Sequence, residues 1–192
     1  MNIVSAKVGI GGIWGVEHLR LIKPGQMSLD YPVVFQNGKA YRLLWEGKQH
    51  NVWTAEGLND LLDVYLCDGT QIANWYVLTF ESDTTPADGT TYAVPVFTEC
   101  TAIDEATRPA YTGVLGSKVV TNTASKAVFT YSAGKTIYGA ALVGGGSSAS
   151  TKGDVAGGGV MPVAGRFASS RAVVDDDVIN LSYTVSAADD GA

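Results

Sequence analysis

Several places in this chain bring together residue types that carry chemistry in other proteins, and spacing decides what each can do. Asp175, Asp176 and Asp177 place three carboxylates in succession, a donor set suited to a hard cation that prefers oxygen ligands. Adjacent side chains point in different directions and the D-x-D-x-D-G spacing is absent, so the run reads as a charged turn between two strands. His18 and His50 stand in separate segments with no cysteine pair beside them, so each is expected at the surface or satisfied in a hydrogen bond rather than on a metal. Asp104 and Glu105, in a polar loop, are the one weak candidate for the two-carboxylate chemistry of glycan cleavage, which needs its pair in a cleft.

Nucleophiles and phosphate cradles fare no better. Residues 145–149 (GGSSA) lack the final glycine of a nucleophile elbow, and no histidine follows them to complete that triad order. Residues 9–14 (GIGGIW) approach a dinucleotide fingerprint, but Trp14 occupies the place of the third glycine, where it would block close approach of a helix. Lys152 lacks the preceding glycine of a phosphate loop and reads as a solvated loop charge. The Trp75-Tyr76 pair has the shape of a sugar-stacking platform, but on a strand behind a leucine-rich helix it reads as core. No catalytic residue, metal or cofactor is therefore assigned, and the chain is read as a non-enzyme.

The elements that would position any site are clearest over residues 51–80. Leu58, Leu61, Leu62 and Tyr65 fall at i, i+3, i+4 and i+7, with Thr54 ahead of them as N-cap and Glu56 in the first turn, which predicts a helix over 55–66. Asp68-Gly69 stops it, because both tolerate positive φ, and the aromatic and β-branched run 75–80 is strand-like. A helix of about three turns is not stable alone in water, so its leucine stripe is expected to lie against a sheet, buried with Trp75, Val77, Ile179, Leu181, Tyr183 and Val185.

That sheet comes from the rest of the chain. Asn37-Gly38 predicts a tight hairpin between strands at 31–35 and 39–45. Further strands are expected at 91–98, confined to an edge by Pro95, and at 118–122, 126–131, 136–143, 164–174 and 178–186. Residues 144–159, nearly pure turn and linker composition, are expected to be the most mobile part. Many short strands, one helix and no βαβ alternation point to a mainly β protein, an antiparallel β-sandwich or barrel of jelly-roll type. The division expected is an N-terminal arm and hairpin over 1–50, then a sandwich domain over 51–192.

Composition agrees. The chain has 192 residues, enough for one domain without staples, with 23 glycines and only 17% charged residues, a neutral and turn-rich surface. The net charge of -6, with lysines and arginines scattered singly, makes a nucleic-acid partner a poor fit. Cys67 and Cys100 read as two buried free thiols, with a disulfide between them as the alternative. The N-terminus is not a convincing signal peptide, and no apolar run approaches the ~20 residues of a membrane-spanning helix, so a soluble protein made in the cytoplasm is expected, with no membrane partner.

Several stretches, read together, resemble one family: Asp68-Gly69-Thr70-Gln71 after the helix, Trp75-Tyr76-Val77, Arg108-Pro109-Ala110-Tyr111-Thr112, residues 136–143 (TIYGAALV), Phe167, 171–175 (RAVVD) and 178–185 (VINLSYTV). They are similar to small structural proteins encoded among the virion genes of tailed bacteriophages, over about residues 51–186. The resemblance implies a non-enzymatic decoration or cement protein of the capsid, bound to the major capsid protein as a dimer or trimer in many copies. The alternative is a tail or head-fibre component that attaches to the host surface.

The arm supplies a candidate contact. Ile3, Val8, Ile10, Ile13 and Trp14 make the N-terminus too apolar to stay free in water, so a neighbouring subunit is expected to bury it. A chain starting near Asp30 is then expected still to fold.

Overall fold

The computed structural model describes residues 8–26 and 30–189. Over these the protein is mainly β, as the strand pattern predicts, and its strands form two antiparallel sheets. The first runs in the order β2 (Val33–Gln36), β3 (Lys39–His50), β1 (Val8–Leu21), β12 (Val178–Asp189), β8 (Val119–Thr121), β7 (Val114–Leu115), with β9 (Ala127–Thr130) also paired to β12. The second runs β4 (Val52–Trp53), β11 (Val160–Val173), β10 (Lys135–Gly144), β5 (Trp75–Phe80), β6 (Ala110–Tyr111). The single helix among the described residues, α1 (Ala55–Leu66), follows β4 and leads to β5, so it connects two strands of the second sheet.

The main core lies between the sheets: Trp14, Val16, Ile179, Leu181 and Tyr183 from the first meet Val77, Ile137, Leu142, Val163 and Phe167 from the second. Trp75 and Val185 are only partly buried at its margin. β12 has less of a wet face than its alternation suggests, because Asn180 and Ser182 are buried too. Gln36 and Asn180 exchange side-chain hydrogen bonds of 2.8 and 3.2 Å although β3 and β1 lie between their strands, so the first sheet curls. Inside the curl Leu19, Tyr41 and Val178 form a small separate core.

The expected N-terminal arm is instead the middle of the first sheet. β1 pairs with β12 from Val8↔Asp189 to Leu19↔Val178 and with β3 from Ile13↔His50 to Leu21↔Tyr41. Its glycines, which resemble flexibility in the sequence, allow close approach: a Cβ on Gly12 would stand 2.0 Å from Tyr183 Oη, and one on Gly15 would stand 2.5 Å from Ser182 Oγ. Among the described residues, β1 and β3 therefore do not stand apart as an arm, since they share a sheet with β12.

The hairpin at Asn37-Gly38 forms as predicted, with φ of 50° and 74°, the paired positive values of a tight type I′ turn. Residues 91–98 do not form the expected strand. Val96 takes a φ of 43° and Phe97 stacks on Phe80 at 4.3 Å, so the segment lies with Tyr92 as an irregular cover over the outer face of the second sheet.

α1 has its predicted ends. Thr54 Oγ1 accepts from Gly57 N at 3.0 Å, and beyond the last turn Asp68 takes a φ of 62° while Gly69 N donates to Asp63 O. Its orientation overturns the expectation. The leucine stripe faces out, from 37% exposed at Leu58 to 84% at Tyr65, and the buried helix residue is Gly57. A Cβ on Gly57 would lie 2.2 Å from Pro162 Cα, so the helix meets β11 through the position that has no side chain. Periodicity reveals that one face is apolar; which face docks depends on where the backbones approach most closely.

Candidate functional site

The chemistry-bearing side chains are largely consumed inside the fold. Arg108, fully buried, donates to Glu99 through Nε (2.9 Å) and Nη2 (2.6 Å), to Ala149 O (2.9 Å), to Asp154 O (2.8 Å) and to Tyr92 Oη (3.4 Å). These bonds occupy all the N–H groups of the guanidinium, so no donor remains for a ligand in the adjoining cleft of about 460 Å³. They also fix residues 144–159. Glu99 accepts from Gly153 N at 2.9 Å, and Lys152, expected as a solvated charge, donates to Ile103 O at 2.9 Å. The loop expected to be most mobile is thus pinned from several sides.

The three-aspartate turn holds a second buried cluster. Asp177 is fully buried, with His18 Nε2 at 3.1 Å, Arg20 bonding both carboxylate oxygens (2.9 and 2.8 Å) and Val174 N donating at 3.0 Å. Burial opposes ionisation of this carboxyl, but the hydrogen bonds from His18, Arg20 and the Val174 amide outweigh it and hold its pKa below the usual carboxylate value. The turn is a structural anchor between β11, β12 and β1. His18 is satisfied in a hydrogen bond, as its isolation in the sequence suggests.

The other candidates divide similarly. Glu105 accepts from Thr130 N through both oxygens (3.0 and 3.1 Å) and so anchors a loop to β9, while its neighbour Asp104 stays exposed. Both cysteines are free; Cys100 is buried as expected and Cys67 is exposed. Burial pushes the Cys100 thiol pKa up, away from the thiolate a nucleophile needs. Among the described residues no group of three or more His, Cys, Asp or Glu has the geometry to hold a metal. A second cleft, also about 460 Å³, is lined by Thr70, Gln71, Asn74, Tyr76, Ser147 and Ser150 and offers hydroxyls, amides and the side chain of Tyr76.

What the fold leaves free is apolar surface. On α1, Leu58, Leu61, Leu62, Tyr65 and Leu66 form one continuous exposed stripe, and Glu56, Asp60 and Asp63 put only acidic charge on the same helix. Burial and the neighbouring charge of Asp63 raise the pKa of Asp60. At the free edge of the first sheet, Tyr31, Val33 and Phe35 alternate outward from the β2 segment, with Phe35 80% exposed. Val33 pairs with Arg42 and Phe35 with Ala40, so Arg42 shares this face.

The residues expected to touch a partner are not gathered on such a face. Ile3 lies outside the described residues, and Val8 opens β1 opposite Asp189. Ile10 is half-buried and Ile13 partly exposed. Trp14 is completely buried, its ring 4.5 Å from that of Tyr183, and is unavailable to a neighbour. The surfaces that sequence reasoning missed had legible traces: Gly57 at i, with Asp60 and Val64 at i+3 and i+7, marks the opposite helix face as the one able to lie close. Compared with protein-family models, with curated proteins and with solved structures, the chain finds no match in any of the three.

Proposed function

We propose that this protein is a non-enzymatic structural component of a tailed-bacteriophage particle, a decoration or cement protein that binds the major capsid protein lattice in many copies at the virion surface. The observation that carries the reading is the exposed α1 stripe. A single chain in water gains nothing by turning Leu58, Leu61, Leu62, Tyr65 and Leu66 outward, and an apolar patch of this kind on a well-packed sandwich marks a protein contact. The commitment of Arg108, Asp177 and Glu105 to internal bonds supports a role in binding over one in chemistry. The virion setting rests on the sequence resemblance over residues 51–186.

A second reading, a tail or head-fibre component that attaches to the host, is favoured by the cleft around Asn74, Tyr76 and Ser147, whose hydroxyls, amides and aromatic side chain suit a glycan. Quantitative mass spectrometry of purified particles separates the two. A copy number on the scale of the capsid lattice is expected; a handful of copies matching the tail's symmetry would favour the second reading, and absence from particles would overturn both.

A further inference from the structure

We infer that the cleft between residues 70–76 and the loop 145–150 binds an uncharged sugar. The inference rests on the glycan reading of this cleft given above and deepens it, naming the class of sugar and the groups that hold it.

Arg108, Asp177 and Glu105 use their polar atoms inside the fold, but this cleft keeps polar side chains free. Those of Thr70, Gln71, Asn74 and Ser150, all lining it, have no hydrogen-bond partner among the described residues. Thr70, Gln71 and Asn74 are exposed, and Ser150 and Tyr76 are half-buried. Amides and hydroxyls together both donate and accept, as the hydroxyls of a sugar do.

Every residue that lines the cleft is uncharged. An anionic group would lose hydration there without meeting a lysine, arginine or histidine, and a cation would find no carboxylate. An apolar guest would strip water from amides and hydroxyls that it cannot pair with. A neutral ligand rich in hydroxyls fits, and the volume of about 460 Å³ lies within the range of about 300–1,000 Å³ usual for small-ligand sites. The ring of Tyr76 adds an apolar surface for the C–H face of a sugar. A peptide is the other neutral polar ligand, and it would add to a free strand edge. None is open here, because Trp75 and Tyr76 pair with Gly144 and Val143 of β10 on one side and with Tyr111 and Ala110 of β6 on the other.

The loop wall is held in place without a ligand. Gly145 and Gly146 take φ of 70° and 61°, and a Cβ on Gly146 would stand 2.1 Å from Gly157 O. One on Gly145 would stand 3.0 Å from Ile72 Cδ1, so the two walls meet there. Ser147 N donates to Gly157 O at 2.9 Å. Arg108 fixes the next lining residues, through Nη1 to Ala149 O at 2.9 Å and through its backbone N to Ser150 O at 2.8 Å. A wall already ordered loses little conformational entropy on binding, which favours a heavily hydrated ligand that gains little per contact.

The test is saturation-transfer NMR on the full chain with the methyl glycosides of glucose, galactose, mannose, N-acetylglucosamine and N-acetylgalactosamine. Methyl glucuronide and N-acetylneuraminic acid serve as anionic sugars, and tetraglycine as bare main chain. At least one neutral glycoside is expected to bind, with each anionic sugar about tenfold weaker or worse. A Gln71→Ala, Asn74→Ala double variant, shown to fold by circular dichroism, is expected to bind that glycoside about tenfold more weakly. If it misfolds, Ser147→Tyr, which fills the cleft from an exposed position, takes its place. Binding by no neutral glycoside, anionic sugars or tetraglycine binding as well or better, or binding unmoved by the variant overturns the site. Copy number in particles is read separately. Sugar binding by a protein present at lattice copy number upholds the site while counting against host attachment, and no binding by one present at tail copy number does the reverse.

Discussion

Gly57 lies so close to Pro162 that a Cβ there would come within 2.2 Å of the proline Cα, and this one approach turns α1 so that its leucines face away from the sheet. Two substitutions on the helix should therefore behave opposite to their sequence-level expectation. Gly57→Ala, which would stabilise an exposed helix by about 1 kcal/mol, should here cost about 1–3 kcal/mol by overpacking against backbone. Leu61→Ala, which would cost about 2–5 kcal/mol in a core, should change stability by about 0.5 kcal/mol or less. Urea unfolding of both variants checks the orientation of the helix.

Arg108 is the staple of residues 144–159. Replacing it with Ala leaves the nearly buried Glu99 without its counter-charge and should cost about 3–5 kcal/mol. Arg108→Lys should not restore this, because a single ammonium cannot reach two carboxylate oxygens and two carbonyls in a planar fork. Limited proteolysis should then cut within 144–159 at rates the wild type does not show.

Acid should destabilise the protein through Asp177. Its pKa in the folded state lies below the unfolded value of about 3.9, so its contribution is present above that pH and is lost as pH falls through the lowered folded value. Asp177→Asn should lower stability at neutral pH and flatten its decline in acid. Urea midpoints measured from neutral pH downward for both proteins show whether the two curves converge.

The sequence carried the fold class and most element positions: Asn37-Gly38, Thr54 and the apolar run 75–80 act through local backbone preference, which neighbours along the chain determine. It concealed β1 and the orientation of α1, because both depend on contacts between residues far apart in sequence. Gly12 and Gly15 look like a flexible arm until Tyr183 and Ser182 are seen filling the space their side chains would need. The buried Arg108 cluster was equally hidden, since its partners Glu99, Ala149 and Asp154 come from separate loops.

Placing β1 at the centre changes one expected outcome outright. A chain starting at Asp30 lacks the strand that pairs with both β12 and β3, together with the core side chains Trp14 and Val16. It should be unfolded by circular dichroism and by amide exchange, where an N-terminal arm would have been dispensable.

The most direct test of the proposed capsid role is co-sedimentation of the purified full chain with tailed-phage heads that lack it, compared between wild type and a folded Leu62→Asp, Tyr65→Asp double variant. The account predicts saturable binding of the wild type at many copies per head, and binding weakened about tenfold or more by two charges set into the apolar stripe. Equal binding by the two proteins would contradict the assignment of α1 as the working surface, and no binding by either would contradict a capsid role.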